Sequence, residues 1–226
     1  MLENIDFQQN IEQQCKQLLP RYLPRAGIAV EYEATLATWL EQIVSTPLSG
    51  TTMALNEISN RQRLNELDFD FALDRLDIDA LNQFMQSLSP LPLQAVNSSE
   101  FGGLITGVID LVFEYQGRYY LADYKSNFLG SSLQDYRPEN LQQAMLGRRY
   151  DLQALLYAVA LHRLLSIRLP DYAYEQHFGG CYYLFLRAMR PQHGNRFGVH
   201  FDRPQQNTIQ RLDQLMKFSP LESMDA

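Results

Sequence analysis

Residues 104–125 read LITGVIDLVFEYQGRYYLADYK. Two runs rich in β-branched and aromatic residues flank Gln116-Gly117, the pattern of a two-residue hairpin. Strands are predicted over Leu104–Tyr115 and Tyr119–Lys125. If Gln116 and Gly117 are the turn, Tyr115 faces Arg118, and the same register sets Asp110 opposite Asp123 on one face. Directly opposed Cβ atoms lie roughly 4.5–5.5 Å apart. The two carboxylates repel, and both are embedded among apolar residues: Val108, Ile109, Leu111 and Val112, then Leu121 and Ala122. A strand shaped only by stability avoids that arrangement. A bound cation resolves it, and two hard oxygen donors with open positions suit Mg²⁺ or Mn²⁺ better than Zn²⁺.

Lys125 follows Asp123 by two residues and projects from the same face. The chain has sixteen arginines and three lysines, so a lysine here is a specific choice of cation. A compact ammonium beside a metal can orient an attacking water and stabilise charge growing on a phosphate. Metal-assisted phosphodiester hydrolysis needs those parts. The competing reading is a solvated sheet face with Lys125 in a surface ion pair. A one-residue slip would put the carboxylates on opposite faces.

Upstream, residues 7–19 and 31–45 carry helical stripes, through Phe7, Ile11, Cys15 and Leu18 and through Tyr32, Leu36, Trp39, Leu40 and Ile43. A loop with Pro47 and Gly50 follows over 46–60. Residues 64–73 alternate as a half-buried strand, and Asp77 can cap a helix over Ile78–Leu88. Ser89–Glu100 reads as a loop. Downstream, Pro138 opens a helix over Glu139–Gly147, and a longer one covers Tyr150–Ile167. Gly179-Gly180 precedes a strand over Cys181–Leu186, with tight backbone packing expected at the glycines. A short strand over 198–202 and a helix over Gln205–Phe218 close the chain. Trp39, Tyr182, Tyr183 and Phe185 are assigned to the core, and His177 to a structural hydrogen bond. This order predicts an α/β (mixed α+β) fold, a central mixed sheet flanked by helices. Residues 1–63 form an N-terminal helical segment packed on a core of residues 64–226.

The 226 residues are 46% apolar and 20% charged, with a net charge of -7. Residues 1–100 hold fourteen acids and six bases; from Arg137 to Arg203 nine arginines face five acids. Only the second half suits a polyanion. Cys15 and Cys181 are too few and too far apart for a zinc set or an iron–sulfur cluster. No stretch spans a membrane, no signal sequence precedes the fold, and no GxxxxGK[ST] motif offers an ATP site.

Gly107-Val108-Ile109-Asp110-Leu111, Asp123-Tyr124-Lys125-Ser126, and Tyr150-Asp151-Leu152-Gln153 with Tyr157 together resemble the RecB-type nuclease family of the PD-(D/E)xK superfamily, from about Gly103 to Arg187 and more loosely upstream. The resemblance implies a restriction-endonuclease-like core and a metal-dependent deoxyribonuclease of the exodeoxyribonuclease V type. It implies Asp110, Asp123 and the Tyr124 backbone carbonyl as metal ligands, Lys125 as the catalytic lysine, and Mg²⁺ as cofactor, with Mn²⁺ an alternative and Ca²⁺ inhibitory or structural. Glu66, in Glu66-Leu67-Asp68-Phe69, matches a further acidic position; an exposed strand carboxylate is the other reading. Gln153 and Tyr157 share a helix face that Arg149 would extend, a stripe suited to holding DNA by phosphate and stacking contacts. The alternative is a polar face with Tyr157 half buried in the core. Arg148, Arg187 and Arg190 fit either a basic groove or a solvated face.

Implied partners are single- and double-stranded DNA, helicase domains of the same polypeptide, RecC-like and RecD-like subunits and a RecA-like recombinase, in the bacterial cytoplasm. The family places a metal-ligating histidine upstream of the Asp110 strand, whereas His162, His177, His193 and His200 all follow it. The chain therefore reads as a domain cut from a larger helicase–nuclease polypeptide. The alternative function is a catalytically incomplete module that docks partner subunits and recombinase.

Overall fold

The computed structural model describes residues 1–49, 53–72, 77–97 and 104–216, with the side chains of Phe71, Ala72 and Leu104 left aside. Gly50, Leu73, Glu100 and Phe218, which figure in the expected elements, lie outside the described residues. The hairpin forms as read: β2 (Leu104–Tyr115) and β3 (Arg118–Lys125) pair antiparallel with Tyr115 facing Arg118. Gln116 and Gly117 both have positive φ, 52° and 77°. Two left-handed residues make the turn whose twist matches that of the flanking strands.

A five-stranded sheet is built outward from this hairpin in the order β1-β2-β3-β4-β5. β1 (Arg63–Ala72) lies antiparallel to β2. β4 (Phe178–Phe185) runs parallel to β3, and β5 (Val199–Asp202) antiparallel to β4. The mixed sheet of the sequence reading is therefore present. A parallel pair needs a long crossover, here α4 (Pro138–Gly147), α5 (Tyr150–Arg168) and the single turn α6 (Tyr174–His177). Gly179 falls inside β4, where a Cβ would come within 2.4 Å of the Tyr120 ring.

Helices cover both faces. On one, α1 (Ile11–Tyr22) and α2 (Glu33–Val44) bury Cys15, Leu19, Leu40 and Ile43 in a cluster with Leu111, Phe113, Tyr120, Ala122 and Tyr182. On the other, α3 (Ile78–Leu88), α5 and α7 (Gln206–Leu215) pack on Ile109, Val112, Leu121 and Cys181. The start of α1 differs from expectation because a cap overrides periodicity. α1 begins at Ile11, not 7: the Asn10 side chain accepts from the Gln13 N–H at 2.8 Å, leaving Phe7 buried in the preceding turn. α5 begins at Tyr150 as expected, with Arg149 left-handed (φ 55°) at its cap. The Asp77 cap on α3 is as expected, its carboxylate accepting from the Ala80 N–H at 3.0 Å. Among the described residues no helix is long and apolar enough to cross a membrane.

Candidate active site

The alternation of β2 slips at one residue. Ile109 and Val112, three positions apart, pack on the α5 side, and Leu111 packs on the opposite side. Between them stands Asp110. The β1–β2 pairing has the same interruption: Asn65 faces Leu111 and Leu67 faces Ile109, while Glu66 between them has a left-handed backbone (φ 52°) and no ladder pairing. A non-glycine residue in this region costs energy and marks a place to look for function.

The β2–β3 ladder stops in the same place. Its last pair is Leu111 with Ala122, so the ladder does not include the expected pairing of Asp110 with Asp123. Instead the Tyr124 N–H donates to Asp110 Oδ2 at 2.7 Å. β3 runs on beside β4 past the end of its pairing with β2, and there Asp123 faces Tyr183. The carboxylates nevertheless stay close enough to act on one another. Burial pushes the Asp123 carboxyl up to about 6; the Lys125 ion pair pulls the other way, and the Asp110 charge adds to the rise.

Lys125 is buried at the end of β3, and its surroundings are specific. Its Nζ lies 2.7 Å from Asp123 Oδ2 and donates to Gln153 Oε1 at 3.0 Å. The Tyr150 ring centroid is 3.8 Å away and that of Tyr183 5.1 Å, and the two rings stack on each other at 5.9 Å. The ammonium thus meets a carboxylate, an amide oxygen and two aromatic rings, all of which attract a cation. Gln153 is held in turn: the Tyr183 hydroxyl donates to its Oε1 at 3.2 Å, and its Nε2 donates to the Tyr157 hydroxyl at 2.8 Å. Tyr157 is buried against Phe69, and burial beside the Asp123 charge pushes its hydroxyl up to about 12.

The structure brings together Asp110, Asp123, Tyr124, Lys125, Gln153 and Tyr157 of the residues singled out in the sequence. Glu66 lines a cavity of about 600 Å³ with Asp110 and Tyr124, under Tyr22, Trp39 and Leu186. Arg149 does not join the Gln153–Tyr157 row. It precedes the helix, its Nε sits 3.3 Å from Asp151 Oδ1, and its Nη1 donates to the Gln94 carbonyl. The expected three-residue stripe is therefore two residues long, because the i, i+4 rule applies only inside the helix. The sequence reading left Tyr183 in the core and gave Tyr150 no role. Tyr183 reaches Lys125 only through the parallel β3–β4 register, which no local pattern announces.

Among the described residues no three His, Cys, Asp or Glu side chains gather as a metal-binding group. The oxygen donors are two carboxylates and backbone carbonyls. That set fits an ion that keeps much of its own water, as Mg²⁺ does. Burial, and to a lesser degree the Asp110 charge, disfavours the ionised Asp123 carboxylate, and a cation there would relieve both.

Where the β2–β3 ladder ends, two carboxylates and a lysine stand together. Residues 8–221 match the PD-(D/E)XK nuclease superfamily, and the chain belongs to it. Within that class the chain is similar to RecB, a subunit of the RecBCD enzyme. It is 42% identical to RecB of Haemophilus influenzae over 184 residues, covering 80% of this chain and 15% of that protein. It is 35% identical to RecB of Escherichia coli K12 over 228 residues, covering 98% and 19%. The chain spans less than a fifth of the length of these relatives. The RecB-type resemblance carried by the motifs holds, and with it the nuclease fold class.

Proposed function

We propose that this domain hydrolyses phosphodiester bonds of DNA with a divalent cation, Mg²⁺ by preference, held by Asp110, Asp123 and the Tyr124 carbonyl, with Glu66 a further acidic side chain lining the cavity beside Asp110. Such an ion supplies Lewis-acid polarisation of the phosphoryl oxygen and a more acidic water. The chain's own groups do the rest. Lys125, fixed by Gln153 and the two tyrosine rings, presents its ammonium where negative charge develops on the phosphate. Gln153, which accepts from Lys125, and Tyr157, which accepts from Gln153, act through Lys125. The observation that carries the reading is the bonded series Asp123–Lys125–Gln153–Tyr157 beside Asp110.

The RecBCD membership of the relatives supports placing this chemistry in recombination and repair, on strands delivered by helicase domains of the same polypeptide. RecC-like and RecD-like subunits, a RecA-like recombinase and a cytoplasmic site of action belong to the same proposal. The test is cleavage of single-stranded DNA with Mg²⁺ by the parent polypeptide and by its Asp123→Ala and Lys125→Ala variants. A loss of roughly 100-fold or more is expected for each; equal cleavage overturns the assignment. The two-carboxylate ligand set also favours a second reading, a docking module without catalysis. Calorimetric titration of this chain with Mg²⁺ and Mn²⁺ separates the two, since an absence of binding at millimolar metal supports the module.

A further inference from the structure

The chain leaves β3 at Lys125 and runs to a short helical turn at Leu133–Tyr136. The buried Tyr136 hydroxyl reaches back into this loop. It donates to the Asn127 carbonyl at 3.2 Å and accepts from the Leu129 N–H at 3.1 Å. The Asn127 side chain also accepts from the hydroxyl of Tyr150, whose ring lies on Lys125, at 3.4 Å. The Ser126 carbonyl accepts from Arg187 Nε at 2.8 Å. The backbone is thus pinned on both sides of Phe128, and the Phe128 ring stays 65% exposed. The Arg187 guanidinium lies 5.8 Å from its centroid.

A lone exposed apolar side chain means little. This ring differs because four hydrogen bonds hold its loop, beside a guanidinium and three residues from Lys125. A floppy loop could turn the ring inward and gain burial; this one presents it. Rigid aromatic faces with an adjacent arginine are what unpaired bases stack on, and the neighbouring phosphate suits the guanidinium. In a duplex the base faces are already stacked, so such a platform reads single strands. The charge agrees: Arg187 lies in the 137–203 stretch where arginines exceed acids nine to five.

We infer that Phe128 and Arg187 form a stacking platform for an unpaired base of the DNA strand next to the scissile phosphate, a contact that selects single strands. The inference rests on the nuclease reading of the neighbouring site. It is tested by fluorescence anisotropy of this chain with a labelled oligothymidylate and with a blunt hairpin duplex, at low ionic strength and with chelator present so that nothing is cut. Phe128→Ala is expected to weaken single-strand binding about tenfold or more, as stacking of one base implies, and duplex binding less than threefold. Phe128→Trp keeps the affinity, and the added tryptophan emission is quenched by the strand. Unchanged thermal unfolding of both variants shows that the fold is intact. Single-strand affinity unaffected by Phe128→Ala, an equal loss on duplex, unquenched emission from the Phe128→Trp variant or no measurable wild-type binding each overturns the platform. Cleavage that persists when the platform fails leaves the nuclease reading standing; binding through Phe128 by a chain whose parent polypeptide cuts nothing overturns that reading instead.

Discussion

Asp123 is an ionisable group placed where burial disfavours its charge. Its folded pKa of about 6 lies above the ordinary 3.8, so ionisation is harder in the folded protein than in the unfolded chain. This group's contribution to stability is therefore fully present below about pH 4, falls as pH rises toward 6 and stays low above it. That difference is worth about 3 kcal/mol. Metal-free wild-type protein is expected to lose that much stability between pH 4 and pH 7 relative to Asp123→Asn, read by urea denaturation across pH. Parallel pH curves would show that Asp123 is not the source. Millimolar Mg²⁺ should restore stability at pH 7.5 and not at pH 4, where protons hold the site. A second residue-scale expectation concerns Lys125. Tyr183→Phe removes one donor to Gln153 and leaves the ring, so it should cost about 1 kcal/mol of stability. Cleavage kinetics should show a severalfold lower kcat with KM unchanged, because the hydroxyl acts on the lysine and not on DNA. A raised KM at full kcat would contradict that role.

The hairpin was legible in the sequence because its determinants are local. Two β-rich runs and Gln116-Gly117 sufficed for the strands, the turn and the register up to Leu111–Ala122. The slip at Asp110 was not, because it depends on Glu66, some forty residues earlier in the chain. The Lys125 surroundings were half legible for a similar reason: Gln153 and Tyr157 stand in a motif, while Tyr183 arrives through a parallel pairing. Cap chemistry adds a further case, since Asn10 moved the start of α1, which periodicity alone placed too early. The turn gives an element-scale prediction. Gly117 has φ 77° and open space around it, so Gly117→Ala meets backbone strain and no clash, and should cost about 1 kcal/mol. Gln116→Asn, better suited to φ 52°, should stabilise by a few tenths. Thermal unfolding of the two variants checks both signs; a destabilised Asn variant would rule out the left-handed turn.

For the molecule as a whole, the net charge of -7 and a DNA-directed site are reconciled by where the charges stand. The acids of the first hundred residues are spread over the N-terminal helices, β1 and the start of α3, and Asp110 and Asp123 stand in the site that a cation would offset. The arginines of the second half are partly consumed inside the fold. Arg163 pairs with Asp213 at 2.6 Å, Arg203 with Glu175 at 2.9 Å, and Arg149 with Asp151. Those pairs, together with the overall negative charge, should leave the domain's own attraction for DNA weak. With about three phosphate contacts, single-strand affinity should fall roughly 20-fold between 50 and 200 mM salt. Anisotropy at those two salt concentrations measures the slope directly. Tight binding at physiological salt, or a slope demanding six or more contacts, would mean that the domain captures DNA unaided. A weak, shallow dependence is what a nuclease requires when a tethered motor brings the strand to it, since local concentration then replaces affinity.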